Sequence, residues 1–408
     1  ADQQPLAQAW GRNIAPPTRG FHPEARRFGH IKALGETFGL KMTVGLGSGS
    51  VFTANLGTPS KMEHTVMGTV LAEVAFAEDQ AVAGEIYVDH TTYQAADGQI
   101  NVDRTVPGRS SGENCYRLAR VLDSDGPVRK RASSDHPADA RPQKSGRAGK
   151  NIERLTACLD ILVPYLPPGL LEMLRYDPQL VSDRGRGEFR PVTTIFCNFY
   201  GTQEIIERLG PARSAEITAI LDAHFSQMQQ IIDRYGGVID KVDSYVVGHR
   251  IMALFGAPRA HVDDPERAVR AAWEMQTAMD AFRELKTTAG TFALKQRIGI
   301  NTGRVFAGNI GSDSRREYTV MGDEVNLTAR LMSLASEGQI LISQSTAAQI
   351  SANIELKEQA PVHVKGKSQP VASYELLGLG PNRASTRIFR QTPLVGRDRD
   401  WATMWQVV

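Results

Sequence analysis

The residues best suited to chemistry lie in the stretch Arg316-Glu317-Tyr318-Thr319-Val320-Met321-Gly322-Asp323-Glu324-Val325-Asn326-Leu327-Thr328-Ala329-Arg330. Asn326 and Arg330 are four apart, so a helix opening after Gly322 presents them on one face. A guanidinium fork can hold oxygens on which negative charge builds, and an asparagine amide can orient a hydroxyl-bearing partner. Taken alone, that spacing is an ordinary solvated helix face. The surrounding pattern has to decide. Lys241, Thr319 and Lys365 enter the argument with them. By itself Lys365, in Val364-Lys365-Gly366, reads as a surface lysine, and Thr319 reads equally as a strand residue with a buried hydroxyl.

Other chemistries find less support. Cys115, Cys158 and Cys197 are odd in number and lack CxxC or histidine pairs, which excludes a disulfide framework and a zinc site. Gly45-Leu46-Gly47-Ser48-Gly49 has no acidic residue on a neighbouring strand to complete a dinucleotide-binding loop, so it reads as a strand end. Arg129-Lys130-Arg131 before Ala132-Ser133 offers a basophilic kinase site, but a solvated linker run is the plainer reading. With 47 basic and 45 acidic residues the net charge is +2, which gives no broad footprint for nucleic acid. The apolar runs are too short to span a bilayer and no signal-peptide pattern opens the chain, so the expected location is the cytoplasm. The first residue is Ala1, and the sequence is expected to be an internal piece of a longer protein.

The elements that must position these residues come in two sets. Hydrophobic residues at 41% and charged residues at 23% are globular values, and 408 residues suggest two or three domains at roughly 150 residues each. Shifting the chain by 254 positions aligns residues 40–92 with 294–346 without a gap, with about a third of the pairs identical. Val51-Phe52 meets Val305-Phe306, and Thr65-Val66-Met67-Gly68 meets Thr319-Val320-Met321-Gly322. Two copies so far apart are two related domains, not a solenoid. The second copy extends upstream to Pro191, whereas the first begins only near residue 20 and is expected to lack its upstream half.

The expected organisation is therefore a truncated first domain over 1–122, a flexible linker over 123–150, a helical lead-in over 151–189 and a second domain over 190–378. Residues 379–408 are expected to be a linker and the start of a further domain. Within the second domain, Val192 to Phe199 reads as a buried strand, and Ile217 to Ile232 as a long helix ended by Gly236-Gly237. Ile251 to Phe255 reads as a strand, followed by a helix from about Asp263 to Leu285. Strands over 295–301 and 304–310 are expected to meet in a turn containing Gly303. That order makes the fold class α+β with ferredoxin-like (βαββαβ) cores.

The stretch 316–330 resembles the signature of class III nucleotidyl cyclases. Pro191-Val192-Thr193-Thr194-Ile195-Phe196 resembles that family's first strand, Ile251-Met252-Ala253-Leu254-Phe255-Gly256 its third, and Gly299-Ile300-Asn301-Thr302-Gly303 its fourth strand and turn. The resemblance implies that Asn326 orients the ribose of a nucleoside triphosphate while Arg330 holds charge developing as the 3′-hydroxyl attacks the α-phosphorus. It also implies that Lys365 meets the terminal phosphates. Lys241 precedes Gly248 by seven positions, a long connection shared with tandem soluble adenylyl cyclases. In that type, the lysine and the threonine at Thr319 read the adenine edge, which implies ATP rather than GTP as substrate.

Departures from the family are as informative. Its two metal-holding aspartates are replaced here by Asn198 and His249, neither of which can stand in for carboxylates bridging hard cations. In the first copy, Ala72 and Phe76 align with Asn326 and Arg330. The losses are complementary, so the resemblance implies an intramolecular pair with one working site. Mg2+ or Mn2+ would then be held by the missing half of the first domain. Thr392-Pro393-Leu394-Val395-Gly396-Arg397-Asp398 resembles the opening of an NTPase domain that follows such pairs, and a plain surface tail fits as well. Two functions stay open: an adenylate cyclase catalytic region that makes cyclic AMP and pyrophosphate and is inactive alone, or a catalytically inactive nucleotide-binding regulatory module of a signalling NTPase.

Overall fold

Residues 187–380 alternate strand-forming runs with amphipathic helices, and they fold around one eight-stranded sheet. The computed structural model describes residues 31–33, 36–39, 42–59, 61–109, 112–122, 148–166, 187–245, 247–311, 316–361 and 370–380. The first set of elements is β1 (Ile31–Ala33), β2 (Glu36–Phe38), β3 (Val44–Leu46), β4 (Phe52–Thr58), β5 (Lys61–Met67), α1 (Thr69–Asp79), β6 (Ile86–Val88), α2 (His90–Ala95), β7 (Ile100–Pro107) and β8 (Asn114–Val121). Then come α3 (Ala148–Leu162), β9 (Gly187–Tyr200), α4 (Thr202–Leu209), α5 (Ser214–Arg234), β10 (Val238–Ser244), β11 (His249–Phe255), α6 (Asp264–Ala278), β12 (Leu285–Thr287) and β13 (Gly290–Phe292). The last are β14 (Lys295–Gly311), β15 (Arg316–Met321), α7 (Asp323–Leu334), β16 (Ile340–Ser343), α8 (Gln344–Ala347), β17 (Ile354–Glu358) and β18 (Ser373–Leu379).

The main sheet runs β10-β11-β9-β14-β16-β18-β17, with β15 pairing the far half of β14. Neighbours are antiparallel except β14 and β16. Val192 to Phe199 of β9 are buried without a break because both faces are covered. One face packs on α5 and α6, where Ile217, Leu221, Phe225, Met228 and Ile232 recur at helical spacing and join Ile195, Cys197 and Phe255 in the core. The other face carries Val192, Phe196, Met252, Leu254, Val305 and Val320 and meets Met332 of α7.

Residues 42–122 repeat part of this plan. Their sheet runs β3-β6-β8-β7, with β3 and β6 parallel and the other pairs antiparallel, the same order and sense as β14-β16-β18-β17. A Cβ at Gly45 would lie 2.3 Å from the Val74 carbonyl oxygen of α1, and one at Gly299 would lie 2.3 Å from the Met332 nitrogen of α7. Each glycine therefore lets a helix settle directly on a strand. Gly68 and Gly322, at φ 146° and 144°, turn each hairpin into its helix, a left-handed conformation that a side chain would strain.

The β4–β5 hairpin leaves its own sheet and lies on α5. Ala54, Leu56 and Met67 share the core of Phe225 and Met228. The Gly57 amide donates to Asp222 Oδ1 at 2.7 Å and the Thr58 amide to Gln229 Oε1 at 3.4 Å.

Three expectations are corrected. No turn interrupts residues 295–311: β14 is a single strand through Gly303. Gly303 instead admits the side chain of Glu324, whose Cγ lies 2.4 Å from where a Cβ would be. The helix expected to reach Leu285 ends at Ala278, followed by a 3-10 turn over Met279–Phe282 and the β12–β13 hairpin. The helix of the lead-in starts at Ala148, ahead of residue 151, and β9 starts at Gly187, ahead of the strand expected from Val192.

Candidate active site

Three elements carry the candidate residues: β10 has Lys241, β15 has Thr319, and α7 has Asn326 and Arg330. The entry of the chain into α7 is fixed by polar contacts. Asn301 Nδ2 donates to the Glu324 carbonyl oxygen at 2.9 Å and to its carboxylate at 2.8 Å. Asp323 and Glu324 put negative charge where the first helical amides point. Leu327, Thr328, Leu331 and Met332 are buried, which leaves Asn326 exposed and Arg330 half-buried. Neither the Asn326 amide nor the Arg330 guanidinium has a hydrogen bond or ion pair with any described residue, so both are available to a ligand.

Thr319 and Lys241 meet at a residue the sequence reading passed over. Thr319 Oγ1 donates to Asp240 Oδ2 at 2.8 Å, and Lys241 Nζ lies 3.8 Å from the same oxygen. The Asp240 side chain is 4% exposed. Burial pushes its carboxyl up from the ordinary range, while the Thr319 hydroxyl and the ammonium groups of Lys241 and Lys61 draw it back. Strand alternation from Val238 could have flagged Asp240, because a carboxylate on a covered strand face needs a partner. Thr319 is the buried strand hydroxyl that its plainer reading expected. Lys365 lies outside the described residues.

Asn198 and His249, where the resemblance expects metal aspartates, are built for something else. Asn198 Nδ2 donates to the carbonyls of Val247 at 2.7 Å and His249 at 3.0 Å, and its Oδ1 accepts from Arg297 Nε at 3.0 Å. The His249 ring is 6% exposed, neither nitrogen has a hydrogen-bond partner among the described residues, and burial pushes its pKa down to about 4. An amide with every donor and acceptor in use and a buried neutral imidazole do not fit a divalent cation. Among the described residues no group of three or more His, Cys, Asp or Glu could hold a metal ion. Nor is any described helix long and apolar enough to cross a membrane.

The family described as "Adenylate and Guanylate cyclase catalytic domain" matches residues 186–378. Adenylate cyclase 1 of Rhizobium meliloti is 28% identical over 198 residues, which is 48% of this chain and 29% of that protein. An adenylate cyclase of Anabaena cylindrica is 30% identical over 266 residues, 59% of this chain and 50% of that protein. The chain thus spans half or less of the length of these relatives. Among solved structures, the guanylyl cyclase Cya2 is 33% identical with a TM-score of 0.41, covering 48% of this chain and 97% of that one. The adenylyl cyclase CyaB from P. aeruginosa is 32% identical with a TM-score of 0.41, covering 47% and 96%. It is through residues 186–378 that the chain is similar to the adenylate and guanylate cyclase catalytic-domain family. The family description covers both adenylate and guanylate cyclases, so base choice has to be argued from this chain's own residues.

Proposed function

We propose that the chain carries the nucleotide-reading half of an adenylate cyclase site that converts ATP to 3′,5′-cyclic AMP and pyrophosphate. The observation that carries this reading is the convergence of Lys241 and Thr319 on Asp240 Oδ2, beside the finding that Asn326 and Arg330 of α7 have no side-chain partner among the described residues. An ammonium donates to a ring nitrogen of adenine, and a hydroxyl oxygen accepts from its exocyclic amine. Guanine presents the opposite polarity at both atoms. Arg330 then holds charge developing on the α-phosphoryl oxygens, Asn326 orients the ribose, and Lys365 meets the terminal phosphates.

The reading treats residues 42–122 as part of a degenerate partner domain and the two segments as an intramolecular pseudo-heterodimer. Support comes from the repeated sheet order, the paired glycines and the hairpin seated on α5. The sheet order β10-β11-β9-β14 supports a ferredoxin-like core. The metal carboxylates are left to sequence outside both segments. A downstream NTPase domain and a cytoplasmic setting belong to the same proposal.

The test is cyclic AMP formation by the full-length protein and by this 408-residue chain, each with ATP and Mg2+ or Mn2+. Turnover is expected from the full-length protein and none from the chain alone, because loss of metal stabilisation costs many orders of magnitude. One observation, the closed Asn198 and His249 pair, favours the second reading, a nucleotide-binding regulatory module without turnover. ATP binding by the full-length protein with no cyclic AMP would establish that reading in place of the first.

A further inference from the structure

The contact between Thr319 and Asp240 settles more than position. A threonine hydroxyl has one proton and two lone pairs, so its direction of hydrogen bonding depends on where the proton goes. Here it goes to Asp240 Oδ2, 2.8 Å away. An ionised carboxylate can only accept, so the outward side of Thr319 Oγ1 is left with lone pairs alone. The same oxygen lies 3.8 Å from Lys241 Nζ and helps to hold the ammonium beside the threonine.

We propose that Asp240 is a positioning residue for base choice: by taking the Thr319 proton and holding Lys241, it sets the pair to accept from an amine and donate to a ring nitrogen. This rests on the reading of Lys241 and Thr319 as the base-reading pair. Asp240 does not touch the base in this scheme. It acts through Thr319, selecting a nucleotide with an exocyclic amine over one with a carbonyl at that edge. The site is also tied to the hairpin from the other segment. Burial raises the Asp240 carboxyl above its ordinary range; Lys61 of β5, 5% exposed, draws it back towards the ionised form, and Glu317 of β15 opposes that. Glu63 of β5 and Asp233 of α5 complete the charged groups around Lys61.

Asparagine is the discriminating substitution because it keeps the shape of aspartate but can donate. In Asp240→Asn the amide nitrogen can donate to Thr319 Oγ1, which frees the hydroxyl proton to point at a guanine carbonyl. Binding is read by titration calorimetry of the full-length protein with 3′-deoxy-ATP and 3′-deoxy-GTP, which lack the attacking hydroxyl. The ratio of the two dissociation constants should move towards GTP by about fivefold to tenfold, the size of one hydrogen bond exchanged. A thermal melt checks folding, and Asp240→Ser replaces the asparagine variant if that variant does not melt cooperatively.

A purely structural role has another signature, equal weakening of both nucleotides, and that result overturns the proposal. In a Thr319→Val background, Asp240→Asn should change the ratio little further, since its effect runs through the missing hydroxyl. A full shift there overturns the proposal too. If Thr319→Val and Lys241→Glu move the ratio while Asp240→Asn does not, only the role of Asp240 falls. If none of the three moves it, or if neither nucleotide binds, the base-reading assignment falls and takes this inference with it.

Discussion

Asn198 and Arg297 stand directly opposite each other on β9 and β14, and Arg297 Nε donates to Asn198 Oδ1 at 3.0 Å. The same guanidinium reaches the Ser333 and Ala335 carbonyls at 3.1 and 3.3 Å, so it ties the amide to the end of α7. On its other side the amide nitrogen serves two carbonyls of the β10–β11 connection. The position therefore braces the helix that carries Asn326 and Arg330 against the sheet. Its demand is for two donated hydrogen bonds and one accepted, which asparagine meets and aspartate does not.

Asn198→Asp, which restores the family's residue type, should consequently destabilise the fold by about 1–3 kcal/mol. The new carboxylate oxygen would face the Val247 and His249 carbonyls. Urea unfolding of parent and variant measures the loss, and repeating it with millimolar Mg2+ or Mn2+ checks for a metal site. A cation-dependent rise in the midpoint of the variant, absent from the parent, would show that the position still serves metal binding.

Arg330 separates binding from chemistry. If its guanidinium meets charge that develops only in the transition state, Arg330→Ala in the full-length protein should lower turnover by about 100-fold or more with little change in ATP affinity. Asn326→Ala should behave alike, and the double variant should fall short of the product of the single losses. A surface arginine would leave turnover unchanged and stability within about 0.5 kcal/mol. Turnover within a few-fold of the parent in Arg330→Ala would sink the assignment.

Lys241 makes a sharper distinction between nucleotides than between activity and its absence. Lys241→Glu replaces a donor by an acceptor beside the adenine ring nitrogen, so kcat/KM for ATP should fall and the preference over GTP should relax. The ratio of the two values is the measurement. An unchanged ratio would mean that another residue reads the base and that the long connection from Lys241 to Gly248 has been misaligned.

How far the sequence could be read depended on the range of the interaction. Local periodicity was enough for α5, whose Ile217, Leu221, Phe225, Met228 and Ile232 lie on one buried face, and for the core of β9. The 254-residue repeat located paired elements because equal backbones need equal glycines, as at Gly45 and Gly299. Gly303 misled for the same reason in reverse. Turn chemistry and close approach both ask for glycine, and only the position of Glu324 decides between them. The β12–β13 hairpin was hidden behind an over-extended helix, although Gly290 at φ 128° marks it. Strand alternation could mark Asp240 as a covered carboxylate in need of a partner, but not name that partner, because Thr319 is 79 positions away and a contact at that distance has no local signature.

The last prediction concerns two histidines and acid. His224 of α5 and His249 of β11 lie on either side of Phe199, with ring centroids 4.6 and 5.7 Å from it. Burial pushes both pKa values down to about 4. The neighbouring His249 adds to the effect at His224, and Asp243 partly opposes it at His249. An unfolded chain takes up protons on these rings below about pH 6.5, whereas the folded one does not until about pH 4. The unfolded state binds more protons throughout that window, so stability should fall as the pH drops from 6.5 to 4, by up to about 3 kcal/mol for each ring. Above pH 6.5 neither contributes. Glu63, Asp233 and Asp240, whose carboxyls burial raises, act in the opposite sense and must be subtracted. Comparing His224→Leu with the parent does this, because the carboxylates are common to both. The variant should lose distinctly less stability between pH 7 and pH 4.5 in urea titrations, while its stability at pH 7 changes by no more than a packing adjustment of about 1.5 kcal/mol. Parallel pH profiles for parent and variant would show that His224 does not titrate in that range and would remove acid sensitivity from the account of this core.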